Sequence, residues 1–339
     1  NDNYYINDIS IRNFHGGIKL GAESIYQNIH MINTWELDSL LSNYYAIYDG
    51  LLFNDINIQN SLGDGIVTSE EAEFYDIIIE NSNGNGIKGG RVFHNSIISG
   101  NLGNGIDCSM DAILNDVTIT NNAGFGLWGG IELANTVVSN NGEYGIYCND
   151  NAAIIDATIE NNGEYGITGA NIISDSDIRN NGGHGILTDE NSHIIDCDVS
   201  LNEGFGINGG SVIRSNVIDS NFGYGLTCNI ESDILNNTIV NNGLFGISGG
   251  KIIIGNIIAD NNDFAIACHS HAKIENNQII NNQGFAANGG EIFNNNTVSF
   301  NESDSLNFIE APYLIEFQNN SFNENIVHSG LFLNSSNRV

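Results

Sequence analysis

Hydrophobic and polar residues recur along this chain in a fixed order, with a period of about 20 residues. Short runs rich in isoleucine alternate with clusters of asparagine and glycine. One phrase returns throughout: two asparagines, two or three further residues, a glycine and then an aliphatic residue, as in 121–127 and 241–247. Short apolar runs bounded by asparagine and glycine are typical of strands separated by turns. The pattern therefore predicts a succession of short β-strands.

The glycine that precedes the aliphatic residue measures the period. It stands at 65, 86, 105, 126, 145, 166, 185, 206, 225 and 246, and the series continues at Ala265, Ala286, Ser305 and Ile326. These positions advance alternately by 21 and by 19, so the repeating unit is a pair of coils. Helical repeats need about 33 residues or more. Three short strands with their turns fill about 20 residues, and each strand is expected to pair in parallel with its counterpart one coil away, at about 4.8 Å.

The Asn-Asn-Gly-x-x-Gly-Ile phrase resembles the repeats of the right-handed parallel β-helix superfamily, the pectin-lyase-like folds. The resemblance covers nearly the whole chain and implies an all-β fold: a single right-handed parallel β-helix of about fifteen coils, continuous over residues 1–339. The superfamily includes lyases, glycosidases, epimerases, phage tailspikes and surface adhesins, so the resemblance does not assign an activity. One insertion of eight residues, at 35–42, interrupts the period, and we expect it to pack on its own solenoid or on a neighbour.

The composition and charge of the chain argue against several classes of function. The chain has 41 acidic and 9 basic residues, for a formal net charge of -32, and 41% of its residues are hydrophobic. A nucleic-acid interface needs a basic stripe, and an anionic membrane surface also attracts basic residues. A membrane-spanning helix needs about 20 consecutive apolar residues, a run that this sequence lacks. We therefore expect neither nucleic acid nor membrane insertion.

Residues at one position in successive coils stack into columns, and several columns have a clear chemical character. The 58 asparagines are expected to form hydrogen-bonded ladders that satisfy turn backbone. Rings precede the repeat glycine, where we expect a buried or half-buried corner stack, with a sugar-binding platform as the alternative. Four cysteines lie two coils apart, about 9.6 Å from the strand spacing, which is too far for disulfides, so these and Cys197 are expected to be buried thiols. The polar column is Asp76, Asp116, Asp156, Asp196, Asn236 and Asn276; the rings are Phe125, Tyr144, Tyr165, His184, Phe205, Tyr224, Phe245, Phe264 and Phe285; the cysteines are Cys108, Cys148, Cys228 and Cys268.

The longer coils carry acidic residues after their first strand. This acidic rim is the candidate metal site, because Ca²⁺ takes six to eight oxygen ligands. The alternative is a solvated negative edge that keeps the protein soluble. No cofactor is otherwise required. The rim residues are Glu71, Asp111, Asp150, Asp189, Glu190 and Glu231.

The exterior of the first strands carries the most site-like residues. Lys88, Trp128 and Tyr147 are the candidate ligand-binding residues, and the candidate catalytic carboxylates are Asp107, Glu143 and Glu164. Two carboxylates beside a bound sugar, with rings as the floor, would serve a glycosidase. The alternative is a varied, solvent-facing column. The strong negative charge argues against an acidic polysaccharide, so a neutral polysaccharide is the expected ligand.

Two functional hypotheses follow. The first is an extracellular or cell-surface protein that is structural or adhesive and assembles head to tail into a filament or surface layer. Neither end shows an amphipathic capping helix, and matching positions at both ends would allow one chain to continue the ladder of another. The second is a carbohydrate-active enzyme or carbohydrate-binding β-helix; catalysis is the less favoured of the two readings. The candidate assembly residues are Tyr4, Tyr5, Ile6, Trp35, Leu331, Phe332 and Leu333.

Overall fold

The chain forms stacked coils of parallel β-strands. The computed structural model describes residues 5–12, 18–19, 24–32, 45–303, 309–310 and 313–327. The coils divide into two compact units, Asn1–Ala170 and Asn171–Val339. In each unit the strands of one coil pair in parallel with those of the next. The predicted all-β solenoid is therefore confirmed, whereas its continuity over the whole chain stays a prediction.

Each coil of the first unit has a short first strand, followed by a second and a third strand. In the earlier coils the second and third strands run together as one longer strand with a bend inside it. The first strands are Ile18–Lys19, Tyr45–Tyr48, Asp64–Val67, Ile87–Lys88, Ile106–Asp107, Leu127–Trp128, Ile146–Tyr147 and Ile167–Thr168. The joined strands are Tyr5–Arg12, Ile25–Ile32, Leu52–Gln59, Glu73–Glu80, Val92–Ser99 and Ile113–Thr120; the separate ones are Glu132–Ala134, Val137–Ser139, Ala153–Ile155 and Thr158–Glu160.

The second unit has the same plan, with the second and third strands separate throughout its described coils. Its first strands are Ile186–Leu187, Ile207–Asn208, Leu226–Thr227, Ile247–Ser248, Ile266–Ala267, Ala287–Asn288 and Ile309–Glu310. The second strands are Ile172–Ser174, His193–Ile195, Val212–Arg214, Asp233–Leu235, Ile252–Ile254, Lys273–Glu275, Ile292–Asn294 and Glu316–Gln318. The third strands are Asp177–Arg179, Asp198–Ser200, Val217–Asp219, Thr238–Val240, Ile257–Ala259, Gln278–Ile280, Thr297–Ser299 and Ser321–Asn323, and Glu302–Ser303 pairs with Ile326–Val327.

The strand register confirms the alternating coil length. Leu127 pairs with Ile106 in the preceding coil and with Ile146 in the following one, so a longer coil is followed by a shorter one. Ile18 pairs with Ile47, which means that the insertion adds eight residues to one coil, as expected. The expected alternation fails in the last described coil. There Thr297 pairs with Ser321, because that coil is three residues longer than the repeat.

The corners of the coils explain why aspartate and asparagine recur at fixed positions. Asp76, Asn95 and Asp116 follow one another at the bend between the second and third strands, with φ of 57°, 47° and 56°. Asparagine and aspartate tolerate this left-handed conformation better than other residues with a side chain. Their side chains are exposed, and Asn95 donates to Asp76 across one coil. The predicted polar column is therefore an outer corner, and not the buried ladder.

Two buried ladders of asparagine run inside the coils, parallel to the stacking direction. In each ladder the amide nitrogen donates to the side-chain oxygen one coil on, at 2.8–3.2 Å. The same oxygen accepts the backbone N–H of the residue that donated the amide. One ladder occupies the second position of the Asn-Asn phrase: Asn101, Asn122, Asn141 and Asn162 in the first unit, and Asn181, Asn202, Asn221, Asn242, Asn261, Asn282, Asn301 and Asn325 in the second. The other is Asn216, Asn237, Asn256, Asn277, Asn296 and Asn320.

Each ladder begins where a smaller side chain replaces asparagine. The backbone N–H of Cys197 donates to Asn216 at 2.9 Å, and that of Ser82 donates to Asn101 at 2.8 Å. The Ser82 hydroxyl is buried and makes no hydrogen bond. A buried hydroxyl without a partner costs free energy. The first ladder thus begins at Ser82, whose hydroxyl group is left unsatisfied.

The cysteines alternate with glycines in one column, as predicted. A Cβ atom at Gly169 would lie 2.4 Å from the Cys148 carbonyl oxygen, and one at Gly249 would lie 2.2 Å from the Cys228 carbonyl oxygen. The five cysteines are free thiols. Burial raises the pKa of the Cys148, Cys228 and Cys268 thiols to about 12, so they stay protonated at neutral pH.

Removing one rung of the buried ladder tests its contribution to stability. Asn242 donates to Ile218, Val240 and Asn261, and accepts from Asn221. Asn242→Ala leaves buried partners unsatisfied and should lower the free energy of unfolding by about 1–3 kcal/mol. Urea denaturation measures this loss. The matched control is Asn262→Ala, an exposed asparagine in a neighbouring coil, which should change stability by less than about 0.5 kcal/mol. Equal losses in both variants would contradict a structural ladder.

Extending the ladder should have the opposite effect. In Ser82→Asn, the new amide can donate to the Asn101 oxygen, which already accepts the Ser82 backbone N–H. We expect the free energy of unfolding to rise by about 1 kcal/mol. Ser82→Ala, which removes the unsatisfied hydroxyl without adding an amide, separates the two effects. A Ser82→Asn variant less stable than Ser82→Ala would show that this coil has no room for the rung.

Candidate functional site

The first strands of the first unit bring the predicted ligand-binding residues into one column. Lys88 pairs with Asp107, Asp107 with Trp128, and Trp128 with Tyr147, each one coil on. The residue before each of them is a buried isoleucine or leucine. Because side chains alternate between the two faces of a strand, these four point outwards. We call Lys88, Asp107, Trp128 and Tyr147 the first-strand face.

Asp64 joins the charged end of this face, although nothing in the sequence pattern singles it out. It lies at the start of its own first strand, and its carboxylate accepts the N–H of Asn85 at 2.6 Å. Burial raises the pKa of Asp64, and both the Asn85 bond and Lys88 lower it. Burial also raises the pKa of Asp107, which Lys88 lowers and Asp64 raises. The charge of Lys88 therefore lowers the pKa of two half-buried carboxyl groups, against the larger effect of burial.

The aromatic end of the face is a stack. The Trp128 and Tyr147 rings are parallel to within 16°, with centroids 4.4 Å apart. Phe125 packs beside the indole at 5.0 Å and 84°. Tyr147 covers one face of the indole. A ligand can therefore contact the ring edges, the indole N–H, the phenol hydroxyl and the opposite face of the indole. That opposite face lies on the side of the coil that carries Asp107.

The neighbouring column changes its chemistry along the first unit. Asp64, Asn85 and Asn104 each accept the backbone N–H of the next residue in the column, at 2.6–3.0 Å. From Phe125 onwards the column is aromatic, and Phe125 stacks on Tyr144 at 5.0 Å. Within the second unit, the column stacks with centroids 4.4–4.9 Å apart: His184, Phe205, Tyr224, Phe245, Phe264 and Phe285. All but Phe285 are half-buried, which agrees with the expected corner stack.

The other two catalytic candidates lie on the turn beside this column. Glu143 and Glu164 are exposed and occupy adjacent coils, where the Glu164 N–H donates to the Glu143 carbonyl at 3.1 Å. Burial raises the pKa of the Tyr144 phenol, and Glu164 raises it further through its charge and a hydrogen bond. The charged groups that act on Asp107 are Lys88 and Asp64. A catalytic role for Asp107, Glu143 or Glu164 stays a prediction.

The acidic rim is exposed, and three of its six carboxylates engage neighbours along the stack. Glu71 pairs with Arg91 at 3.4 Å, Glu231 pairs with Lys251, and Glu190 accepts from Asn229. Asp189 accepts the Asn191 N–H at 2.8 Å. Over the described ranges of the chain, no group of three or more His, Cys, Asp or Glu residues is placed to hold a metal ion. Calcium binding at Asp111, Asp150 or the other rim residues stays a prediction.

Two of the assembly candidates lie within the described residues. Tyr5 is 63% exposed and donates to Gln27 at 2.6 Å, and Ile6 is half-buried. Their strand pairs with Ile25–Ile32. The remaining candidates lie outside the described residues: Tyr4, Trp35, Leu331, Phe332 and Leu333.

A family model matches little more than a third of the chain. Residues 128–251 match the model described as a right handed beta helix region. This match agrees with the stacked parallel coils of the described residues, whose fold is a parallel β-helix. No curated protein matches this β-helix by sequence.

Two solved structures resemble this β-helix. One is the A-module of the mannuronan C-5 epimerase AlgE6 from Azotobacter vinelandii, at 11% identity and a TM-score of 0.27, over 96% of this chain and 87% of that one. The other is the periplasmic alginate epimerase AlgG, at 10% identity and a TM-score of 0.28, over 94% of this chain and 76% of that one. At these values the likeness carries no argument about function. In the described part of the β-helix, no helical segment has the length and apolarity to cross a bilayer.

The aromatic column of the second unit should give the β-helix a pH dependence. His184 accepts the Phe205 N–H through Nδ1 at 2.9 Å, which requires the neutral ring, and burial lowers its pKa. The unfolded chain then binds more protons, so His184 lowers stability as the pH falls below about 6.5.

His184→Asn keeps an acceptor, as at Asn104, and removes the titration. We expect the stability of wild type relative to this variant to be constant above about pH 7.5 and to fall between about pH 6.5 and pH 5. Urea denaturation midpoints of both proteins across this range measure the difference. A difference that does not change with pH would contradict the neutral, accepting histidine.

Proposed function

We propose that this β-helix is an extracellular adhesive or structural protein that binds a saccharide on the first-strand face without cleaving it. One observation carries the proposal: an indole and a phenol stack directly beside a lysine and two half-buried carboxyl groups, on consecutive coils. Rings and a few placed polar groups are what recognise sugars and other amphipathic ligands. The β-helix coils hold these groups at fixed spacing, which suits a repeating polymer.

Binding and hydrolysis would use the same carboxyl groups, and the release of reducing ends distinguishes them. A glycosidase needs one carboxyl group held protonated and a second that faces it across the scissile bond. Burial raises the pKa of both Asp64 and Asp107, and Lys88 offsets only part of that rise. The exposed turn that carries Glu143 and Glu164 adds no comparable burial. We assign Asp64 and Asp107 to orienting a ligand because Lys88 lies beside them and favours their charged form.

A panel of oligosaccharides of defined length tests the proposal by calorimetry, with reducing-end release measured in parallel. Trp128→Ala should weaken binding by at least about tenfold, since an aromatic contact in a binding site contributes up to a few kcal/mol. The matched control is Thr227→Ala, an outward first-strand residue of the second unit, which should leave affinity unchanged. Unfolding midpoints verify that both variants remain folded.

Two results would contradict the proposal. The first is binding that is unaffected by Trp128→Ala, which would move the site elsewhere. The second is release of reducing ends that is lost in Asp107→Asn, which would make the protein an enzyme. Self-association at the ends and an extracellular location remain expectations from the sequence.

A further inference from the structure

We infer that the ligand of the first-strand face is an amino sugar with a free amine, whose ammonium group lies between the Asp107 carboxylate and the open face of the Trp128 indole. The inference rests on the proposed saccharide binding and narrows it to a cationic saccharide. It also replaces the neutral polysaccharide that the sequence favoured.

The same column already contains an ammonium placed in this way. Lys19 and Tyr48 are register partners on adjacent coils, and the Lys19 Nζ atom lies 4.7 Å from the Tyr48 ring centroid. A cation within about 6 Å of a ring centroid is attracted by the ring quadrupole. The spacing of these coils therefore lets a cation on one coil sit against the ring of the next.

Asp107 and Trp128 repeat that step without the cation. They are register partners as Lys19 and Tyr48 are, but an aspartate occupies the position of the lysine. Tyr147 covers the far face of the indole, and the near face borders the Asp107 coil. A ring face and a carboxylate are thus adjacent, and an ammonium group complements both.

The surrounding charge selects against other ligands. Lys88 is the basic residue acting on Asp107 and Asp64, and those two carboxyl groups outnumber it. Glu143 and Glu164 are exposed on the turn beside the rings, and the whole chain carries a net charge of -32. An anionic sugar would be repelled, whereas a neutral one would leave the half-buried Asp107 with Lys88 as its only favourable charge and Asp64 as a repelling neighbour. A cationic sugar is attracted electrostatically by each of these carboxylates.

The first test compares two ligands that differ only in acetylation of the amine, which removes its positive charge. Binding of a β-1,4-linked D-glucosamine tetramer and of its fully N-acetylated form is measured by calorimetry at pH 6 and low salt. We expect the free amine to bind at least about tenfold more tightly, because only the ammonium pairs with the carboxylate. Asp107→Asn should remove that difference, and Trp128→Ala should weaken the amine form.

A second variant tests the charge of the ligand, because it should tighten binding of a cation and weaken binding of an anion. Lys88→Met removes a cation that competes for Asp107, so it should tighten binding of the glucosamine tetramer by about three- to tenfold, less at higher salt. It should not tighten binding of a neutral ligand, and it should weaken binding of an anionic one. Lys251→Met is the control, since it makes the same change in net charge at the exposed Glu231 pair of the second unit. That control should not alter affinity.

The outcomes separate the inference from the function on which it rests. If both tetramers bind equally through Trp128 and Lys88→Met does not tighten binding, the ligand is a neutral saccharide and the inference fails, while the proposed function stands. If the glucosamine tetramer binds wild type and Trp128→Ala equally, it is held only by the general negative charge of the protein, and the inference fails. If neither tetramer nor any other saccharide depends on Trp128, both proposals fail.

Discussion

The fold depends on the hydrogen bonds that asparagine side chains make along the stack of coils. Each coil must turn three times, and backbone hydrogen bonds between coils continue through parts of these turns. At one turn in the first unit and at two in the second, a buried side-chain amide completes the pairing. Its oxygen accepts a backbone N–H of the preceding coil, and its nitrogen donates to the next side chain in the same ladder. Buried backbone groups that water cannot reach are thereby satisfied. Such a rung works only when the next coil presents another asparagine at the same position, so the ladder fixes the register.

Fixed register turns the outside of the molecule into columns with one chemical character each. A residue's neighbours along the stack are set by the alternating coil length, with little freedom to adjust. Residues of one column then contact each other, so that rings stack on rings in the second unit and cysteine alternates with glycine in another column. A site that combines chemically different groups can arise on such a surface only where a column changes its character, because an unbroken column presents the same contact at every coil.

Periodicity made most of the architecture predictable from the sequence. The glycine spacing located the coils, the insertion and the outward column of Lys88, Asp107, Trp128 and Tyr147, since a repeat converts sequence distance into spatial contact. Periodicity did not indicate which asparagine of a turn faces the interior. The αL bend at Asp76 points one polar column outwards, and the buried amides belong to another. Periodicity also did not indicate that Asp64 belongs to the aromatic column. In the sequence that column is recognised by its rings, whereas its first members have no ring and accept backbone N–H groups instead.

The site arises where two adjacent columns change together. In the coil that contains Phe125 and Trp128, one column passes from side-chain acceptors to rings, and the other passes from charged groups to rings. Stability alone does not require this coincidence, since each column would stack equally well if it changed at a different coil. Because both change at one coil, two carboxyl groups, a lysine and an indole face come together there. A rigid repeat has few other means of bringing unlike groups into contact, and this junction is therefore where recognition is best placed.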